Sequence, residues 1–408
     1  MSIKNSEDFS KKIKHLEAHI QVLQEQNEKL ALQNEHLTKE LQDAKNAKKM
    51  NLEEEEIDFD KIEPLVNVVD EDTCGFTGYR GQLVKACRMY VRNQSFNDFL
   101  DEIKKSVIGQ DRGLELILSE IYNYVYCIGM KEGQPPKIRT LLAGKSGCGK
   151  TQTFRAIKEY FSIHIPELVI SSFDASMLTP LGYTGRNCTE MLTPFVSKKT
   201  LGYGILYMDE FGKRMIPSIA GDGSNVSTEV MNQMLTLLEG AEFNFSKETI
   251  DTNLLCIIGG DSFNYVREKK QKQVSHIGFV KDKDETDENE DFITKNDVLT
   301  CGATYEILGR FNNLVNYQSL GKEQIKHVIN KLLRDLSSEF DLCFVVTDEY
   351  ADELAAMAKG KLGQELGCRF LYSTLYEAGL VAYKEALKQD IRSGTAILID
   401  VHGYEFLL

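Results

Sequence analysis

Residues 9–48 carry hydrophobic positions at alternating spacings of three and four, and they contain neither Gly nor Pro. Written as heptads, the a positions hold Ile13, Ile20, Asn27, Asn34 and Leu41, and the d positions hold Leu16, Leu23, Leu30 and Leu37. Such a repeat predicts a coiled coil, and Asn at two a positions favours a parallel dimer because each Asn pairs with its twin. The alternative is a single amphipathic helix that folds back on its own domain.

A zipper of this kind raises the question of DNA binding. A basic-region zipper needs a long helix rich in Lys and Arg ahead of its heptads. Only twelve residues precede Ile13, and they include Glu7 and Asp8. We therefore reject DNA binding for this segment.

The composition changes after Met50. Residues 49–63 are strongly acidic, which predicts a solvated linker. Residues 64–105 are predicted to form a helical connector with short helices over 82–91 and 96–105. We assign no chemistry to this connector.

From Lys137 onward, apolar runs of strand length alternate with helix-like segments, which predicts an α/β fold. We expect a large domain over 106–320 with a mostly parallel sheet, and a small α/β lid domain over 321–408. The large-domain strands are expected near Ile138, Val169, Ile205, Leu254 and Leu314. The lid is expected to have a helix from Lys322, a strand over 343–346, helices after Asp348 and Cys368, and a final strand over 396–401.

The length and composition are those of a globular chain of two or three domains, with 408 residues, 42% of them hydrophobic. A net charge of −14 argues against a nucleic-acid partner held by bulk positive charge. No run of 18 apolar residues is present and the N-terminal residues are polar, so we expect no membrane span, no signal peptide and a cytoplasmic location. The nine cysteines form no Cys-x-x-Cys pair, which predicts reduced thiols and no zinc.

One glycine-rich turn carries the strongest chemical signal. It fits Gly-x-x-x-x-Gly-Lys-Thr, with an apolar strand before it and a helix-like segment after it, as a phosphate-binding P-loop requires. Its residues are Gly144, Lys145, Ser146, Gly147, Cys148, Gly149, Lys150 and Thr151. Glycines let backbone N–H groups point at phosphate oxygens, Lys150 would reach the β- and γ-phosphates, and Thr151 would offer its hydroxyl to Mg²⁺.

A second signal follows about sixty residues later. Residues 204–208 read as a buried strand, and the strand ends in Asp209 and Glu210. After a P-loop at this distance, Asp209 is expected to hold the Mg²⁺ shell. Glu210 is expected to polarise the attacking water as a general base.

Further motifs surround these two in a consistent order. They are 107–110 (Val-Ile-Gly-Gln), 123–124, 178–185, 231–240 (ending Leu-Leu-Glu-Gly), 258–260, 308–310 (Leu-Gly-Arg) and 367–369 (Gly-Cys-Arg). Together they resemble the AAA+ family, and within it the ClpX-type Clp unfoldases, over some three quarters of the chain from about Ser106. The resemblance implies a homohexameric ATPase ring with ATP and Mg²⁺ bound between the two domains.

The resemblance also implies roles for individual residues. Val107 and Ile108 would line the adenine pocket. Arg310 would reach a neighbouring subunit's ATP as an arginine finger, the alternative being a surface Arg at a helix end. Arg369 would contact the γ-phosphate from the lid, the alternative being an ion pair with an acidic helix nearby.

Two loops would contact other proteins by the same resemblance. The first is the pore loop that grips a substrate protein, with Gly182, Tyr183, Thr184 and Gly185; Tyr183 could instead anchor its own loop. The second is Ile277, Gly278 and Phe279, which lie in a charged insert and resemble the loop that docks the ATPase onto a ClpP-type peptidase.

The chain departs from the family pattern in several places. The four-cysteine N-terminal zinc domain is replaced by the coiled coil, so that a hexamer would carry three coiled-coil pairs. Residues 241–252 are too few for the basic substrate-sensing loop. Arg186 and Asn187 stand where the family is acidic, and Asp261-Ser262 leaves the sensor-1 residue open.

We therefore expect an ATP-dependent unfoldase that pulls substrate proteins through a central pore for a ClpP-type peptidase. One alternative is a protease-independent ATPase that dismantles a specific complex. Another is a nucleotide-switched coiled-coil scaffold without turnover, which the presence of Glu210 and Arg310 disfavours.

Overall fold

A computed structural model of the chain describes residues 78–179, 186–215, 226–275, 292–360, 363, 367–391 and 394–407. All of these belong to one compact unit, Cys74–Leu408. The predicted coiled coil over 9–48 and the acidic linker over 49–63 lie outside the described residues.

Three helices precede the sheet: α1 (Tyr79–Asn93), α2 (Phe96–Ser106) and α3 (Asp111–Met130). Ser95 begins α2 with a reciprocal cap, because its hydroxyl accepts from the N–H of Asp98 while its own N–H donates to the Asp98 carboxylate. Helices form where we expected them over 82–91 and 96–105. Their buried side chains pack in the same hydrophobic cluster as the central sheet, so this part of the connector contributes to the core of the large domain.

The strands of the large domain form a five-stranded parallel sheet and a separate hairpin. In chain order they are β1 (Arg139–Ala143), β2 (Ile170–Asp174), β3 (Gly204–Asp209), β4 (Glu242–Asn244), β5 (Thr249–Asp251), β6 (Leu255–Asp261) and β7 (Asn313–Asn316). The sheet has the order β2-β3-β6-β1-β7, and β4 pairs with β5. Every pairing in the five-stranded sheet is parallel, which confirms the predicted α/β fold.

Both faces of this sheet are buried. Leu142, Ile205 and Ile258 point into one hydrophobic cluster, whereas their strand neighbours Leu141 and Leu206 point into a second. Helices supply the rest of both clusters: α4 (Lys150–His164), α5 (Thr193–Ser197), α6 (Gly212–Met215), α7 (Val226–Glu239), α8 (Asn264–Ser275), α9 (Lys295–Thr300) and α10 (Tyr305–Gly309). Burial on two faces explains why the strands read as continuous apolar runs.

The lid has a core of its own, centred on Ile329, Leu354 and Leu375. Its elements are α11 (Lys322–Phe340), β8 (Cys343–Val346), α12 (Asp348–Lys359), α13 (Cys368–Lys388), β9 (Thr395–Leu398) and β10 (Tyr404–Leu407). β9 pairs parallel with β8 and antiparallel with β10. We did not predict β10. The Asp400 carboxylate accepts the N–H groups of His402 and Gly403 and so forms the turn that leads into it.

Candidate active site

The strand register brings the predicted site residues to one edge of the sheet. Ala143 of β1 lies beside Asp261 of β6, and Asp174 of β2 lies beside Asp209 of β3. The carboxyl ends of parallel strands open onto a common crevice, which is where α/β sheets bind ligands. The glycine-rich turn and the acids Asp209 and Glu210 therefore lie at the same edge of the sheet, formed by the carboxyl ends of its strands.

The P-loop curls between β1 and α4. Gly147 and Gly149 have φ angles of 71° and 104°, a region that side-chain-bearing residues rarely enter. A Cβ on Gly144 would lie 2.6 Å from the Cys148 sulfur, so only glycine fits there. Lys150 is buried, and its ammonium donates to the carbonyls of Gly144 and Lys145 at 2.5 and 3.0 Å. The start of α4 lines the crevice, and a helix N-terminus is a favourable place for a phosphate.

The first of the two acids, Asp209, contacts the P-loop helix α4. The Thr151 hydroxyl donates to the Asp209 carboxylate at 3.0 Å. The other Asp209 oxygen accepts the Tyr207 hydroxyl at 3.1 Å and the N–H of Glu210 at 3.0 Å. One hydroxyl and one carboxylate side by side are the oxygen ligands that Mg²⁺ takes when the substrate phosphates supply the others. The donor set at Thr151 and Asp209 therefore fits Mg²⁺.

Glu210 follows Asp209 in a strained backbone conformation with φ 54°, of the kind that occurs at functional sites. Its carboxylate forms an ion pair with Lys213 one helical turn later, and this hydrogen bond raises the pKa of Lys213. We did not foresee Lys213 from the sequence. A Lys three residues after the second acid was the available signal.

Asp261 is a buried carboxyl at the end of β6. Burial raises its pKa, against the opposing effect of a hydrogen bond from the N–H of Phe263 at 2.6 Å. A Cβ on Gly212 would lie 2.6 Å from the Asp261 carboxyl carbon, so Gly212 leaves the room that this carboxylate occupies. The sequence left this position open, and the structure places the Asp261 carboxyl in the crevice with Asp209 and Glu210.

A cavity of about 1060 Å³ joins these groups to the lid. Its walls include Val107 and Ile108 on the large domain and Tyr372 on the lid, together with Arg369 at the start of α13. The cavity also contains P-loop residues, both acids, Lys213 and Asp261. The predicted nucleotide-contacting residues Val107, Ile108, 146–151 and Arg369 thus line a single cavity of a size suited to one nucleotide, whereas Gly144 and Lys145 are not among its lining residues.

Comparisons with known proteins agree with this geometry. Residues 140–307 match the family described as the ATPase family associated with various cellular activities (AAA). The chain is 25% identical over 335 residues to the ATP-dependent Clp protease ATP-binding subunit ClpX of Treponema denticola, covering 72% of this chain and 77% of that protein. It is 25% identical over 314 residues to ClpX 2 of Wolinella succinogenes, covering 70% and 75%. A ClpX of Bacteroides fragilis is 26% identical over 267 residues, covering 57% and 61%.

The chain contains an AAA-family ATPase domain and is similar to ClpX. The matched family region contains Lys150, Asp209 and Glu210 but ends before Arg310 and Arg369. The alignment with the Treponema protein spans more of the chain than the family region does.

One residue of the large domain, Gln110, makes a long-range contact that we did not predict. The Gln110 side-chain amide donates to the carbonyl of Gln318 and accepts the N–H of Gln318, both at 2.8 Å. These two bonds fasten the segment after Val107 and Ile108 to the chain just before the lid. Gln110 belonged to a motif we recognised, but its partner is 208 positions away.

Arg310 of this ClpX-like ATPase lies apart from the cavity. It follows α10 and is not among the residues that line the cavity formed by described residues. Its guanidinium forms an ion pair with Glu239 at the end of α7, at 3.0 Å. The structure therefore separates Arg310 from the nucleotide-contacting residues of its own chain.

Both loops that we expected to contact other proteins, Gly182 to Gly185 with Tyr183 and Ile277 to Phe279, lie outside the described residues. The described residues on either side of the first loop are paired, because the N–H of Thr179 donates to the carbonyl of Arg186 at 2.8 Å.

Among the helices that the structure describes, none has the length and hydropathy to cross a bilayer. Within the same residues, no group of three or more His, Cys, Asp or Glu side chains is arranged for a metal ion.

Proposed function

We propose that the chain forms a homohexameric, ATP-driven ring that unfolds substrate proteins by pulling them through a central pore. The observation that carries this proposal is the convergence of Lys150, Thr151, Asp209 and Glu210 from the large domain and Arg369 from the lid on one cavity. A ligand held by both domains couples its own hydrolysis to their relative movement. That coupling is what a translocating motor needs.

The hydrolytic chemistry follows from the positions of these groups. The P-loop N–H groups and Lys150 would hold the phosphates, and Thr151 and Asp209 would hold Mg²⁺. Bound Mg²⁺ would offset the negative charge on the β- and γ-phosphates. Glu210 would accept a proton from the water that attacks the γ-phosphorus, and Lys213 holds the Glu210 carboxylate at the crevice edge.

Two arginines would act on the γ-phosphate from different directions. Arg369 would contact it from the lid of the same subunit. Arg310 would reach it from a neighbouring subunit, which is supported by its separation from its own cavity. An arginine supplied in trans makes hydrolysis depend on assembly.

The contacts with other proteins rest on the family resemblance. Tyr183, between Gly182 and Gly185, would grip an extended substrate chain at the pore. Ile277, Gly278 and Phe279 would dock the ring onto a ClpP-type peptidase; the names of the curated relatives describe them as ATP-binding subunits of a Clp protease. The coiled coil over 9–48 would join subunits in pairs in place of a zinc domain.

The main alternative is the same motor without a peptidase, acting on one complex selected through the coiled coil. A scaffold that binds nucleotide without turnover is the second alternative. Binding to a ClpP-type peptidase separates the first from the proposal, and turnover separates the second.

Steady-state ATP hydrolysis at increasing protein concentration tests the motor. Specific activity is expected to rise with concentration, and Glu210→Gln and Arg310→Ala are each expected to lower it by roughly a hundredfold or more. Both variants should still bind ATP. Binding without turnover in the wild-type chain would overturn the proposal in favour of the scaffold, and an activity independent of concentration would remove the trans role of Arg310.

A further inference from the structure

Glu239 lies at the centre of a cationic cluster on the face of the subunit that carries Arg310. Its carboxylate accepts the Arg310 Nη2 at 3.0 Å, and its backbone carbonyl accepts the Lys137 ammonium. Arg139, fully buried, donates to the carbonyl of the preceding residue, Leu238, at 3.1 Å. The Glu239 carboxylate therefore contacts Arg310, while two further cations bond the backbone at and beside Glu239.

The backbone that carries Glu239 is held firmly. Arg139 donates to the carbonyls of Leu238, Thr252 and Leu255 at 2.6 to 3.1 Å. Gly240 ends the helix with φ 91°, and a Cβ there would lie 1.9 Å from the Asn253 side-chain oxygen. The backbone position of Glu239 is therefore fixed, although its side chain is mostly exposed.

Arg310 has fewer constraints of its own. It follows a short helix, α10, that ends one residue earlier, and 37% of its side chain is exposed. Its Nε has no acceptor among the described residues. The pKa of Lys137 is lowered by burial, by Arg139 and by Arg310, whereas the Glu239 carboxylate raises it. Without Glu239, electrostatic repulsion from the neighbouring cations would move the Arg310 guanidinium away from this position.

We infer that Glu239 is a positioning residue for the trans arginine: its carboxylate holds the Arg310 guanidinium on the subunit face so that the remaining N–H groups meet a neighbour's γ-phosphate. This rests on the proposed function of Arg310. The bond uses one N–H of a guanidinium that has five, so donors remain for a phosphate. Misplacement of a catalytic charge can lower the rate by up to about a hundredfold, because the guanidinium must be aligned with the γ-phosphate in the transition state.

The first measurement separates kcat from KM. Glu239→Gln keeps the shape of the side chain and removes its charge, and we expect kcat to fall about tenfold with KM within about twofold, because Glu239 does not line the cavity. Glu239→Asp keeps the charge on a shorter side chain, and its kcat should fall less than that of Glu239→Gln. Glu242→Gln alters an exposed acid on the adjacent β4 strand and should leave kcat unchanged. Equal thermal unfolding midpoints exclude a folding defect.

The deciding measurement mixes dilute subunits before assembly. Glu210→Gln subunits cannot hydrolyse ATP but carry an intact Glu239–Arg310 pair, so an excess of them should raise turnover per Glu239→Gln subunit towards the wild-type value. A structural defect within one subunit would not be repaired by its neighbour.

The same mixture made with Arg310→Ala subunits distinguishes the two ways of failing. If Arg310→Ala is repaired in trans and Glu239→Gln is not, the positioning role of Glu239 is wrong and the trans arginine stands. If neither is repaired, the trans role of Arg310 fails and the inference fails with it. Wild-type kcat in Glu239→Gln would overturn the inference alone.

Discussion

Arg139 illustrates how one buried residue fixes the strand that leads into the P-loop. Its guanidinium is fully enclosed, and it donates to four backbone carbonyls, those of Ile138, Leu238, Thr252 and Leu255. These carbonyls belong to the end of α7, the start of β6 and the residues just before β1 and just after β5. A single buried cation thus joins four segments of backbone through hydrogen bonds.

Replacing this cation tests its contribution to stability. Arg139→Met should lower the free energy of unfolding by about 3 kcal/mol or more, because four backbone carbonyls lose a buried, charged donor. Burial lowers the pKa of Arg139 to about 10, so the group is charged at neutral pH in both states and the loss should not vary between pH 6 and 8. Urea denaturation of the wild type and the variant measures this loss of unfolding free energy. Lys158→Met, an exposed cation on α4, should change stability by no more than about 0.5 kcal/mol; an equally small loss in Arg139→Met would contradict the role.

Single residues were predictable where a motif fixed their spacing. Lys150, Thr151 and Asp209 come together as expected, because a short turn and one register determine their positions. Lys213 and Asp261 were not assigned a role, since an ion pair across one helical turn and a carboxyl buried against Gly212 depend on packing that no local pattern encodes.

At the scale of elements, α3 packs on the sheet through an acid. Glu120 accepts the Thr140 hydroxyl of β1 at 2.6 Å and the Asn313 amide of β7 at 3.4 Å. Burial raises the pKa of its carboxyl, and the two hydrogen bonds oppose that change only in part. The helix is therefore joined to two strands by a group that would be more stable neutral.

Glu120→Gln should stabilise the protein at neutral pH. A raised folded-state pKa means that the unfolded chain ionises first as pH rises, so wild-type stability falls from the ordinary pKa up to the raised one and then stays low. Each unit of pKa difference corresponds to about 1.4 kcal/mol. Thermal unfolding of both proteins at pH 4 and pH 7.5 measures the effect. The advantage of the variant should grow at the higher pH, and the same difference at both would refute the assignment.

Elements with strong periodicity were predictable, and short ones were less so. The five sheet strands and the helices after Gly149, Gly321 and Gly367 lie where apolar runs and glycine turns indicated. The strand β10 was missed because its four residues alternate too briefly to stand out. The sequence also did not predict that α1 packs on α3 and that α2 packs on α3 and α4, because amphipathic spacing does not say which surface a helix covers.

At the scale of the whole described unit, the lid touches the P-loop backbone directly. A Cβ on Gly147 would lie 2.3 Å from the N atom of Cys368, and a Cβ on Gly367 would lie 2.2 Å from the carbonyl oxygen of Ser146. Two glycines 220 residues apart in the chain therefore permit one close contact. We recognised both as parts of motifs, but their contact follows only from the folded arrangement of the two domains.

Gly367→Ala should separate the lid from the P-loop. Gly367 has φ 59°, which costs a residue with a Cβ about 1 to 3 kcal/mol, and the added carbon would meet backbone rather than a movable side chain. Since Arg369 would then be withdrawn from the cavity, we expect ATP to bind about tenfold more weakly, equivalent to about 1.4 kcal/mol, in a fluorescent-nucleotide titration.

Gly379→Ala on the same helix is the matched control. Its Cβ would lie 3.5 to 3.7 Å from the Phe344 ring, an ordinary contact, within a helix that favours Ala. It should bind ATP as the wild type does and unfold at the same or a slightly higher temperature. Wild-type affinity in Gly367→Ala would mean that nucleotide binding does not depend on the contact between the lid and the P-loop.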